Sequence, residues 1–125
     1  SEPAAEAAGL IETIARLADD ALALAGATEP LDRHAVRVDS AFLGAGYGLP
    51  TPETVTAIRQ LASLEGLLLD PVYSGKAMSG LLGKIRDGQF DGVSDVVFLH
   101  TGGVASLPVY ADALLTPNDT GAELG

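Results

Sequence analysis

Six side chains of this chain could do chemistry at their spacing: Tyr47, Tyr73, Ser74, Lys76, His100 and Thr101, the last followed by Gly102-Gly103. Phenols and aliphatic hydroxyls can hydrogen-bond a polar ligand and hold or pass a proton. Other kinds of reactive site find no support. His34 and His100 are the only histidines and have no metal-ligand spacing, so no metal site is expected. Neither Gly-x-Ser-x-Gly nor a Walker loop occurs. Gly44-x-Gly46-x-Gly48 follows no strong strand and is no dinucleotide fingerprint. Each candidate also has an ordinary structural role. Ser74 can cap a helix, Thr101 can bond its own turn, and Lys76 can be a solvated cation. His100 can be a satisfied half-buried histidine, and Tyr47 can cover apolar surface.

The positioning elements follow from the apolar pattern. Leu67 to Leu69 and Val96 to Leu99 are short all-apolar runs, the signature of strands covered on both faces of a parallel sheet. Each leads through a tight connection into a helical pattern. Two such connections from one parallel sheet bring Tyr73, Ser74 and Thr101 to the same sheet edge, where ligands of α/β proteins bind.

Around these runs, a first helix is expected over residues 1–25. Ser1 is its cap, Pro3 lies in its first turn, and Glu2 and Glu6 face its positive end. Leu10, Ile14, Leu17, Ala21 and Leu24 form its apolar stripe, widened by Ile11, Ala18 and Leu22. Residues 35–38 alternate Val-Arg-Val and are a weak, short strand candidate. Phe42 to Pro50 is a glycine-rich loop presenting Tyr47. Thr51 as N-cap and Pro52 at the first helical position open a second helix, which ends at Glu65-Gly66 and buries Val55, Ile58, Leu61 and Ala62. Ser74 opens a third, with a stripe of Ala77, Met78, Leu81, Leu82 and Ile85, closed by Asp87-Gly88. Gly75 and Gly80 lie in its interior, where each costs about 1 kcal/mol against alanine and implies close approach of backbone or ligand. A fourth helix spans Val104 to Leu115, and the polar tail from Thr116 is expected to fray. This order predicts one α/β domain with a parallel sheet.

Composition agrees with a packed domain. The 125 residues are 47% hydrophobic but only 5% aromatic, so the core must be aliphatic. There are no cysteines, which excludes disulfides, thiolate metal sites and thiol nucleophiles. A formal charge of −10 argues against nucleic acid and anionic membrane as partners, though not against a small anion held by backbone N–H groups. No apolar run approaches ~20 residues and no signal-peptide pattern opens the chain, so a cytoplasmic location is expected.

Three stretches together resemble a known family. Leu69-Asp-Pro-Val-Tyr-Ser-Gly-Lys-Ala-Met-Ser-Gly-Leu-Leu82, Phe98-Leu-His-Thr-Gly-Gly-Val104 and Gly46-Tyr-Gly-Leu-Pro50 are similar to motifs of the aminocyclopropane-carboxylate deaminase and D-cysteine desulfhydrase family. These are pyridoxal-phosphate enzymes of fold type II, the tryptophan-synthase-β-like group. The resemblance implies that residues 1–125 are the C-terminal part of the large, cofactor-binding α/β domain. It makes Tyr73 and Tyr47 catalytic, and gives Thr101, Ser74 and Gly102 to the cofactor. Ser74 stands where the deaminase branch carries glutamate and Thr101 where it carries leucine, so the hydroxyl pair is more like the desulfhydrase branch. A hydroxyl at the pyridine nitrogen leaves the ring a weaker electron sink than a glutamate would. That favours β-elimination from a small sulfur-containing amino acid, giving pyruvate and ammonia. D-Cysteine is the first substrate expected, with cysteate sulfo-lyase or aminocyclopropane-carboxylate deaminase activity as alternatives. The resemblance also implies a homodimer and an N-terminal complement supplying the Schiff-base lysine, which Lys76 and Lys84 do not replace. A non-catalytic structural or interaction domain is the remaining expectation.

Overall fold

The computed structural model describes residues 2–116, with the side chains of residues 7–116. The chain divides into two compact units, Ser1–Ser40 and Ala41–Gly125. Ser1, the side chains of Glu2 and Glu6, and the tail from residue 117 lie outside the described residues, and with them the expected first cap and frayed end.

In the first unit α1 runs Glu2–Leu24, followed by a 3-10 turn at Arg33–Ala35. The connection between them is pinned to α1 by polar contacts. Leu31 N–H donates to Asp19 Oδ1 at 2.7 Å, and the Arg33 guanidinium meets Asp19 at 3.1 Å and Glu12 at 3.3 Å. The leading stripe expected on α1 is not its buried side. Leu10, Ile14, Leu17 and Leu24 are exposed, whereas Ala15 is fully buried and Ile11, Ala18 and Leu22 are half-buried. The weak strand expected at 35–38 is the end of the 3-10 turn and irregular chain.

In the second unit α2 is Pro52–Glu65 and α3 is Ser74–Arg86. Thr51 caps α2 by accepting the Thr54 N–H at 3.2 Å, and Gly66 ends it in the left-handed region at φ 67°. Ala57 and Ile58 of α2, Leu69, and Met78 of α3 form the buried core, flanked by Leu61, Leu81, Leu82, Phe98 and Leu114. The fourth helical region is divided, with 3-10 geometry over Val104–Tyr110 and α4 over Ala111–Leu115. Pro108 sits in the 3-10 part, where its missing N–H spares the α-helical ladder. Arg59 of α2 fastens α4 by donating to the Leu114 and Thr116 carbonyls.

The expected parallel sheet is not formed: the described residues contain no β-strand. Leu67 to Leu69 and Val96 to Leu99 are irregular. A strand exists only through a neighbour that takes up its N–H and C=O groups, and these runs have no such neighbour in the described chain. Leu69 is buried by the helices and Phe98 joins the core, but Leu67, Leu68, Val96, Val97 and Leu99 are exposed, Val97 to 91%.

Candidate functional site

The organising group is Asp70, which is 1% exposed. Asp70 Oδ2 accepts the N–H groups of Val72 and Tyr73, both at 2.8 Å. Its Oδ1 accepts the Ser74 N–H at 2.9 Å and the Ser74 hydroxyl at 2.6 Å. The Ser74 hydroxyl in turn accepts the Asp70 N–H at 2.9 Å. Helix α3 is therefore capped by a carboxylate four residues upstream. Ser74 is its first residue rather than its cap, and Tyr73, at the cap position, makes no side-chain capping bond. Burial pushes the Asp70 carboxyl up, but the Ser74 hydroxyl and the three backbone donors outweigh it and hold the group below the usual carboxylate range.

This turn leaves no room for side chains nearby. A Cβ on Gly75 would lie 2.6 Å from the Asp70 carbonyl oxygen, and one on Gly103 would lie 2.5 Å from Asp70 Cγ. Gly103 also has φ 94°, a conformation costly for any other residue. The 100–103 turn thus rests on the Asp70 carboxylate. His100 braces that turn, its Nδ1 accepting the Gly102 N–H at 3.1 Å and its Nε2 facing the Leu68 carbonyl at 2.8 Å. An acceptor at Nδ1 and a carbonyl at Nε2 require the proton on Nε2. Thr101 projects as an exposed residue from this braced turn, with no hydrogen bond to its hydroxyl among the described residues.

Tyr73, exposed at the start of α3, meets Tyr47 from the glycine loop. The phenol oxygens are 2.6 Å apart, and the rings cross edge to face with centroids 5.8 Å apart. The bond to Tyr47 raises the Tyr73 phenol above the ordinary tyrosine value, with desolvation and the negative charge of Asp70 adding to it. The Tyr73 oxygen thus holds its proton more firmly than a free phenol does. A third phenol, Tyr110, is half-buried beside the same loop, and a Cβ on Gly48 would lie 3.1 Å from its oxygen.

Lys76 is not a solvated cation. It is 7% exposed, and its Nζ donates to the carbonyls of Leu43 at 2.5 Å and Gly46 at 2.9 Å.

The structure thus brings Tyr47 and Tyr73 into contact and sets the Thr101 turn against the Asp70 cap. It turns the Ser74 hydroxyl inward to Asp70, and it commits the Gly102 N–H to His100. Sequence reasoning missed Asp70 and the buried role of Lys76. An aspartate four residues before a helix, followed by proline, was the available signal for the first. A lysine in the first turn, against the helix dipole, was the signal for the second. Among the described residues no cluster of histidine, aspartate and glutamate could hold a metal ion, and no helix is long and apolar enough to cross a membrane.

No protein-family model matches the chain. Curated proteins do. It is 43% identical over 101 residues to a 1-aminocyclopropane-1-carboxylate deaminase of Burkholderia ambifaria, covering 81% of this chain and 30% of that protein. It is 42% identical over 101 residues to the protein so named in Burkholderia vietnamiensis, with the same coverage. To that of Burkholderia multivorans it is 41% identical over 100 residues, covering 80% of this chain and 30% of the relative. The chain thus spans about three tenths of the length of these relatives.

Proposed function

We propose that this chain, a homologue of the 1-aminocyclopropane-1-carboxylate deaminases over 81% of its length, supplies the proton-handling wall of a pyridoxal-phosphate-dependent lyase or deaminase. The observation that carries the reading is the exposed phenol pair, with Tyr47 and Tyr73 oxygens 2.6 Å apart. Pyridoxal phosphate bound against this wall would supply the electron sink for breaking bonds at the carbons of a small amino acid.

The chain's own residues fit the edge of such a site rather than the whole of it. Tyr73 holds a proton at its phenol oxygen and can deliver it to a substrate atom, and Tyr47 can replenish that proton through the shared hydrogen bond. Thr101 offers an exposed hydroxyl on a rigid turn, able to hydrogen-bond a ring nitrogen, while Gly102 and Gly103 keep that turn close to the α3 start. Ser74 would act at one remove, through the Asp70 cap. Lys76, held by two carbonyls, is not available for covalent attachment, so the lysine for that step comes from an N-terminal complement.

Exposed apolar chain supports the need for that complement. Leu67, Leu68, Val96, Val97 and Leu99 have the composition of buried strands and lie uncovered. An apolar groove of about 360 Å³, lined by Ile58, Ala62, Leu68 and Leu114 among others, adjoins them. The complete enzyme is read as a cytoplasmic homodimer.

For substrate, a neutral hydroxyl at Thr101, with no acidic side chain at Ser74, favours β-elimination from D-cysteine, in which the carbon–sulfur bond breaks and water releases pyruvate, ammonia and sulfide. The names of the relatives favour a second reading, ring-opening deamination of 1-aminocyclopropane-1-carboxylate to 2-oxobutanoate and ammonia. The test is to express the chain with its upstream complement, add pyridoxal phosphate, and offer both substrates. A visible cofactor band with pyruvate and sulfide from D-cysteine supports elimination, and 2-oxobutanoate from the cyclopropane supports the second. A folded, dimeric protein that binds no pyridoxal phosphate, or binds it and turns over neither substrate, overturns the proposal.

A further inference from the structure

Lys76 stands where elementary electrostatics disfavours it. It is the third residue of α3, at the positive end of the helix dipole, and it is almost wholly buried. Both costs are offset by what its Nζ reaches: the carbonyls of Leu43 and Gly46, 33 and 30 residues upstream. Both carbonyls lie on the chain leading into Tyr47, and the Gly46 carbonyl belongs to the peptide bond that begins Tyr47. Gly44 and Gly48 flank it at φ 72° and 70°. A loop with that much glycine has many conformations to lose, so an outside tether is needed to hold one of them. The Gly46 carbonyl also receives the Leu49 N–H at 3.4 Å, a weak closure that would not fix the loop alone. Tyr73, three residues before Lys76, starts the same helix turn. One helical turn thus carries the first phenol and holds the loop that carries the second.

We propose that Lys76 is the positioning residue of the phenol pair: its Nζ fixes the Gly46–Tyr47 peptide so that the Tyr47 oxygen meets that of Tyr73. This deepens the proton-handling role given to the pair and rests on that reading for its functional meaning. The geometry can be tested without cofactor or substrate, so failure of the enzyme assignment and failure of this proposal are separable.

The chain suits an optical test because it has three tyrosines and no tryptophan. Alkaline titration of tyrosinate absorbance in the 125-residue chain should show one phenol, Tyr73, ionising after the others. Tyr73→Phe removes that late phase, and Tyr47→Phe, which takes away the largest cause of the shift, moves it earlier, toward the other phenol. Lys76→Met keeps the buried stem and removes the donors, and should reproduce Tyr47→Phe. Combining Lys76→Met with Tyr47→Phe should shift the phase no further. Because the chain has no cysteine, Lys76→Cys can be aminoethylated while unfolded and then refolded. That restores an ammonium at nearly the original reach and should restore the late phase. A late phase unchanged in a folded Lys76→Met, or one not restored by aminoethylation, overturns the proposal. Lys76→Gln is the second variant, keeping a shorter donor. If neither Lys76→Met nor Lys76→Gln retains wild-type helix content, Lys76 supports the fold as a whole, and that too overturns it.

Discussion

Replacing Asp70 by asparagine removes one charge and almost no volume, yet it should cost about 2–4 kcal/mol of stability, the net of two lost charge-assisted bonds and a partial return from desolvation. The carboxylate accepts four hydrogen bonds, two at each oxygen. An amide can offer only one carbonyl oxygen. Whichever way it is turned, its NH₂ group faces either the Val72 and Tyr73 N–H groups or the Ser74 N–H and hydroxyl. Two bonds to a charged acceptor, at about 1.5–3 kcal/mol each, are lost. Relief of the carboxylate's burial returns part of that sum. The effect should also depend on pH in one direction. The fold holds Asp70 below its ordinary pKa, so its contribution is complete above about pH 4, the unfolded value, and is lost as pH falls through the lower folded value. Urea unfolding of wild type and Asp70→Asn, followed by helix circular dichroism from about pH 7 to about pH 2.5, measures both. A wide gap at neutral pH that narrows below about pH 4 is expected. Equal stabilities at neutral pH, or a gap that stays constant into acid, would refute the account of α3 capping.

In the complemented enzyme, Tyr73→Phe should lower kcat by roughly 10²–10⁴, the range for a lost proton-transfer group. Tyr47→Phe should lower it less, and the double variant should be little worse than Tyr73→Phe, because the two phenols act as one unit. Steady-state kinetics of the three variants would show additive losses if they do not. Gly103→Ala and Gly75→Ala each drive a methyl to 2.6 Å or less from an Asp70 atom. Each should lower the thermal midpoint by several degrees, as about 1–3 kcal/mol of overpacking does in a small domain. A melt within about a degree of wild type for either would show that the turn can give way.

Much of the local structure could be read in advance. Thr51-Pro52 began α2 and Gly66 ended it, because capping and the left-handed turn depend on a few adjacent residues. Asp87-Gly88 closed α3 for the same reason. The glycines around Tyr47 marked a loop, and the three motifs marked a family resemblance that the identities to the Burkholderia deaminases confirm over 81% of the chain. Where burial was inferred from periodicity, success was partial. On α1 the spacing placed Leu10, Ile14 and Leu17 on the buried face, yet Ala15 is buried and those three are exposed.

What the sequence determined by itself was the set of local boundaries and the presence of two apolar ribbons fit to be strands. It could not make those ribbons a sheet, because a ladder needs backbone partners outside the segment, and the described chain provides none. Tertiary structure alone decided where the polar groups went. It turned the Ser74 hydroxyl inward to Asp70, set the His100 turn against the same carboxylate, and drew Lys76 across 30 residues of chain to the Gly46 carbonyl. These are hydrogen bonds between groups whose types were visible in the sequence. Their pairing depended on which helices packed together, and so on the aliphatic core around Ile58, Leu69 and Met78.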